Sequence, residues 1–70
     1  MEQYTHRIVN CEDLVRGDLI PVGNSFHDLM TVVRVHVSPE GYVDIAGYLM
    51  LGDCYMVAAA RTGQRSEVWN

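Results

Sequence analysis

The sequence predicts an all-β protein: a small antiparallel five-stranded barrel that forms one domain over residues 1–70. Three observations lead there. Short β-branched segments alternate with turn signals at regular spacing. Residues 31–37 and 42–49 alternate with period two on either side of Ser38-Pro39-Glu40-Gly41. No segment shows the 3.6-residue apolar spacing of an amphipathic helix.

Residues 5–9 read as a short first strand. Residues 10–17 connect it to the next, with Leu14 as apolar anchor and Arg16-Gly17-Asp18 as a turn. Leu19-Ile20-Pro21-Val22 re-enters as a strand, and Pro21, which lacks an N–H, places that strand at a sheet edge. Residues 23–28 form a polar loop carrying Phe26 and His27. The central hairpin follows, with Pro39 and Gly41 supplying the two turn conformations.

The register of that hairpin can be worked out from its side chains. A four-residue loop would set Asp44 opposite Val35, among valines. A three-residue loop, Pro39-Glu40-Gly41 closed by a glycine bulge, pairs Ser38 with Tyr42 instead. Val37 then faces Val43, Val35 faces Ile45, and Val33 faces Gly47. On the other side His36 faces Asp44 and Arg34 faces Ala46. A slip of one residue exchanges the faces, so only the second register keeps one side apolar. It predicts a core of Val33, Val35, Val37, Val43, Ile45, Leu49 and Met56, and a positive φ at Gly41.

Gly52-Asp53 suits a two-residue type II′ turn pairing Leu51 with Cys54. Leu49 would then face Met56, Gly47 would face Ala58, and Asp44 would face Arg61. Thr62-Gly63-Gln64 makes a further turn. Residues 67–69 close the sheet, which sets Trp69 across from Ala58 and over Gly47, a large ring above two small residues.

Composition narrows the function classes. A chain this short buries a modest core, so a partner subunit or ligand is an expected source of stability. The net charge of −4 disfavours sequence-independent binding to DNA or RNA, which needs a basic surface. No run approaches a membrane span and no signal-peptide pattern occurs, so the expected compartment is the cytoplasm. All five basic residues are arginine, which fits either a GC-rich source, an actinobacterium or its phage, or a preference for bidentate contacts to anions. Cys11 and Cys54 are expected as reduced core residues, and none of His6, His27, His36, Cys11 or Cys54 has metal-ligand spacing, so no metal or cofactor is expected.

The stretch Leu14-Val15-Arg16-Gly17-Asp18-Leu19-Ile20, followed by Thr31-Val32-Val33-Arg34-Val35, resembles the opening of SH3-like barrels in small bacterial and phage proteins. There a D-L-x-x-G-D-x-I segment enters the first barrel strand. The resemblance covers the first half of the chain and implies a scaffold that serves many functions. The same segment is similar to part of the intein and hedgehog autoprocessing fold, but the chain is too short for that fold and lacks a nucleophile at its start.

The non-core face carries the candidate sites. Its apolar end holds Val32, Tyr48, Met50, Tyr55 and Val57, which reads as an interface, a ligand surface, or a patch covered by the chain's own loop. Its charged end holds Arg34, His36, Asp44 and Arg61. That group reads as a cross-strand ion network, an anion site, or a His–Asp acid–base pair with no nucleophile fixed beside it. Arg34, His36, Tyr48 and Arg61 are the candidate ligand-binding residues, since arginine forks and aromatic rings suit phosphate and base. The expected function is a non-enzymatic, self-associating β-barrel that binds a protein or a small ligand. The alternative is a phage-type sponge that sequesters an anionic nucleotide signal.

Overall fold

The computed structural model describes residues 6–22, 28–51 and 54–70. The expected loop tip at Phe26 and His27 and the Gly52-Asp53 turn lie outside them. The described chain is all-β, with six strands where five were expected. β1 (Arg7–Asn10) leads through a single 3₁₀ turn (Cys11–Asp13) to β2 (Leu19–Val22). Then come β3 (Asp28–Val37), β4 (Tyr42–Leu49), β5 (Tyr55–Arg61) and β6 (Arg65–Val68). A curled four-stranded antiparallel sheet runs in the order β2-β3-β4-β5, and β1 pairs with β6 in a second sheet. The apolar core lies between them, centred on Leu14, Ile20, Met30, Val32, Val43 and Val68.

The central turn forms as its residues require. The Ser38 N–H donates to Tyr42 O at 2.8 Å, and the Gly41 N–H donates to Ser38 O at 3.1 Å. Gly41 sits at φ +93°, the left-handed conformation the three-residue loop demands. His36 pairs with Asp44, Arg34 with Ala46, Val35 with Ile45, and Val37 with Val43, all in the register expected.

Beyond Arg34 the register changes. A β-bulge makes Val33 the extra residue, and Val32 pairs with Gly47. Inserting one residue transfers everything before it to the opposite face. Val32, expected on the outer surface, is therefore 0% exposed in the core. Val33 is only half-buried, and Val37 lies exposed at the strand end. Met30 becomes the residue over Gly47: a Cβ built there would stand 2.8 Å from its Cγ and Sδ and would also strike the Thr31 carbonyl oxygen. Trp69 does not fill that space.

Two further expectations need correction. β5 pairs with β4 two residues out of the expected register, so Gly47 faces Met56, Asp44 faces Ala59 and Arg61 faces Tyr42. A shift of two keeps every side chain on its expected face, so alternation could not detect it. The last strand pairs with β1, from Arg7 opposite Val68 to Asn10 opposite Arg65. Trp69 therefore lies away from Ala58, with its N–H donating to Leu19 O at 2.8 Å.

The Leu14–Ile20 segment folds around a buried carboxylate. Val15 to Asp18 forms a turn with Gly17 at φ +96°. Asp18, 5% exposed, accepts the Val15 N–H at 3.0 Å through Oδ2 and Arg7 Nη2 at 3.2 Å through Oδ1. The end of the chain closes the same corner. Asn70 Oδ1 accepts the Leu19 N–H at 3.1 Å, and Asn70 Nδ2 donates to Gly17 O at 2.8 Å. Pro21 lies on the edge of the four-stranded sheet, as its missing donor requires.

Candidate functional site

The outer face of β3, β4 and β5 gathers most of the residues singled out by the sequence. Alternation along each strand puts Arg34 and His36 of β3, Asp44 and Tyr48 of β4, and Tyr55, Val57 and Arg61 of β5 on that side. At one end Tyr48 stands directly opposite Tyr55, with ring centroids 5.1 Å apart in an edge-to-face contact. Val57 follows on the same face, opposite Ala46. Tyr48, Tyr55 and Val57 are 47%, 50% and 57% exposed. Ala46 between them is buried, so the centre of the face is small and apolar. Met50 is also exposed, but it lines a separate apolar hollow with Leu19, Leu29 and Trp69. Of the five expected interface residues, Tyr48, Tyr55 and Val57 come together, Met50 stands aside, and Val32 is in the core.

The charged end divides into two places. Arg34, His36 and Asp44 line a shallow hollow of about 360 Å³ with Ala46 and Val57. Arg61 lies outside it. Its guanidinium packs over the Tyr42 ring, 5.2 Å from the centroid. Arg34 and Arg61 flank β4 at Ala46 and Tyr42, four residues apart, which is roughly 13 Å along the strand. The two arginines do not share one hollow within a single chain. Tyr42 was not among the site residues expected. The signal that points to it is its even spacing with Asp44 and Tyr48, combined with the true β4–β5 register.

The remaining chemistry-bearing groups are structural in their surroundings. Cys11 is buried, and loss of solvent pushes its thiol pKa up, with the neighbouring Glu12 carboxylate adding to the shift. Cys54 is exposed. His6 meets the Glu67 carboxylate at 2.8 Å and stacks at a tilt against Trp69. Among the described residues no group of three or more His, Cys, Asp or Glu side chains is placed to hold a metal ion. No helix among them is long and apolar enough to cross a membrane.

Comparison of the chain with family models, with curated proteins and with solved structures finds no match.

Proposed function

We propose that this chain is a non-enzymatic, cytoplasmic interaction module, an SH3-like barrel that associates with itself through the outer face of β3, β4 and β5. One observation carries the reading: Tyr48, Tyr55 and Val57 lie side by side and exposed on a sheet face that a monomer would normally make polar. The barrel reading draws support from the way the two sheets meet. The Trp69–Leu19 hydrogen bond, one residue past β6, brings the two-stranded sheet against the β2 edge of the four-stranded one. Self-association supplies the buried area that a 70-residue chain lacks.

The test is mass by light scattering across a wide concentration range. The wild type is expected to form a dimer, and Tyr48→Asp combined with Val57→Asp is expected to reduce it to a monomer with an unchanged circular dichroism spectrum. A wild type that stays monomeric at millimolar concentration overturns the proposal. Sequestration of a nucleotide-like anion is the second reading, and the Arg61–Tyr42 stack is the observation in its favour. It requires arginines from two subunits to converge. Titration calorimetry of the oligomer with a nucleotide panel decides it, since absence of heat removes this reading and leaves self-association untouched.

A further inference from the structure

We propose that the dimer is built by edge pairing: β5 of one copy adds antiparallel to β5 of the other about a two-fold axis at Val57, joining two four-stranded sheets into one. This rests on the reading above that the chain self-associates, and it moves the contact from the sheet face to the strand edge.

The backbone hydrogen bonds show which groups are available. The Leu49 N–H donates to Cys54 O at 2.8 Å and the Thr62 N–H donates to Gly41 O at 2.9 Å. Both bonds obey the β4–β5 register, so Met56, Ala58 and Ala60 turn their N–H and C=O toward β4. Tyr55, Val57, Ala59 and Arg61 turn theirs away from the sheet. Arg61 confirms this parity, because its outward groups are taken locally: Arg61 N–H donates to Gln64 Oε1 at 3.3 Å and Arg61 O accepts Gln64 N–H at 3.0 Å. Tyr55, Val57 and Ala59 are left with three donors and three acceptors along an edge that pairs with no strand among the described residues.

The opposite edge of the sheet is closed. On β2, Leu19 gives its N–H to Asn70 and its carbonyl to Trp69, and Pro21 has no donor. β5 carries none of the usual protection. From Tyr55 to Ala60 it has no proline, no charge and no bulge, and an open cleft of about 570 Å³ is lined by Ala58, Ala59 and Ala60 together with Ser66 and Glu67 of β6.

A second copy is the occupant that fits, because the strand is complementary to itself. A two-fold axis at Val57 sets Tyr55 opposite the partner's Ala59, Met56 opposite the partner's Ala58, and Val57 opposite its own counterpart. Large meets small at each off-axis position, on both faces. All six free groups of each edge are used, giving six new backbone hydrogen bonds and leaving the Gln64 cap of Arg61 in place. The pairing also places the two copies of the Tyr48–Tyr55–Val57 patch next to each other on one continuous sheet.

Amide hydrogen exchange tests this directly on the wild-type chain. Raising the concentration from about 10 µM to about 1 mM is expected to slow exchange at Tyr55, Val57 and Ala59 several-fold, up to the roughly tenfold limit that a monomer–dimer equilibrium sets, with little change at Arg61. Ala59→Pro removes one outward donor and no bond to β4, so it is expected to yield a folded monomer by light scattering. Tyr48→Asp, away from the edge, is expected to remain dimeric. A wild-type dimer in which the Tyr55, Val57 and Ala59 amides exchange equally fast at both concentrations overturns edge pairing while the face-to-face reading stands. A wild-type monomer throughout overturns both. Should Ala59→Pro unfold, the exchange measurement on the wild type decides alone.

Discussion

Replacing Gly47 with alanine inserts a methyl group into the tightest point of the four-stranded sheet. The new Cβ would lie 2.8 Å from both Met30 Cγ and Met30 Sδ, and it would strike the Thr31 backbone carbonyl as well. Carbon atoms at ease sit about 3.5–4.0 Å apart. The Met30 side chain is flexible, but it is 0% exposed, so it can retreat only by displacing other core atoms. The Thr31 carbonyl belongs to the strand just before the bulge, where β3 pairs with β2 on one side and β4 on the other, and it has less room still. Overpacking of this kind costs roughly 1–3 kcal/mol. Restricting the unfolded chain returns about 0.4–1 kcal/mol. The backbone clash puts the net loss near the upper end, about 2 kcal/mol. For a chain of this size that corresponds to a melting temperature lower by roughly 10–15 °C. Thermal and urea denaturation followed by circular dichroism measure it. The double variant Met30→Ala with Gly47→Ala separates the two clashes. Trimming Met30 leaves the carbonyl contact, so the double variant is expected to be less stable than Met30→Ala alone. A Gly47→Ala protein within about 0.5 kcal/mol of wild type would refute the bulge geometry, as would a double variant no less stable than Met30→Ala.

The bulge makes a second prediction through the same strand. Val32→Ala should lose roughly 1–3 kcal/mol, whereas Val37→Ala, at an exposed position, should lose under about 1 kcal/mol; equal losses in urea titrations would contradict the assigned faces. Asp18→Ala leaves the Val15 N–H without its side-chain acceptor and Arg7 without its partner, and should cost about 1–3 kcal/mol in the same assay. A neutral result there would mean that the turn closes without the carboxylate. Cys11 gives a pH dependence. Its thiol pKa is raised in the folded chain, so the unfolded chain ionises first as pH rises, and the contribution is present below about pH 8.5 and lost above it. Wild-type stability should therefore fall more steeply above that pH than the stability of Cys11→Ala, and parallel curves would show that the thiol does not ionise on unfolding.

Much of the fold was legible because its cues are local. Pro39 and Gly41 specify the loop by their own dihedral preferences, and the alternation around them selects one register from two. Pro21 marks its strand as an edge for the same reason, since a missing donor needs no distant partner to have its effect. The candidate face followed from that alternation, so Arg34, His36, Tyr48, Tyr55 and Val57 were placed on it correctly. Asp18 was visible as a turn residue, but its burial between Val15 and Arg7 depends on β1, which lies elsewhere in the sequence.

By itself, then, the sequence determined the all-β class, the central hairpin, the edge character of β2 and the outer face of the sheet. Each depends on the backbone preferences of single residues or on period-two alternation within one strand. Only the tertiary structure decided that Val32 is core, that Arg61 meets Tyr42 rather than Asp44, and that β6 pairs with β1. The bulge at Val33 turns Val32 and Met30 into the core and sets Met30 against Gly47, and no local propensity records that contact. The β4–β5 register differs from the expected one by two residues, a shift that preserves both faces and so leaves no trace in the hydrophobic pattern. The pairing of β1 with β6 joins opposite ends of the chain, and it is selected by the burial of Val68 and by the hydrogen bonds that Trp69 and Asn70 make to Leu19. Long-range partners are chosen by the free energy of the whole packed chain, and that is why alternation could name the faces but not the neighbours.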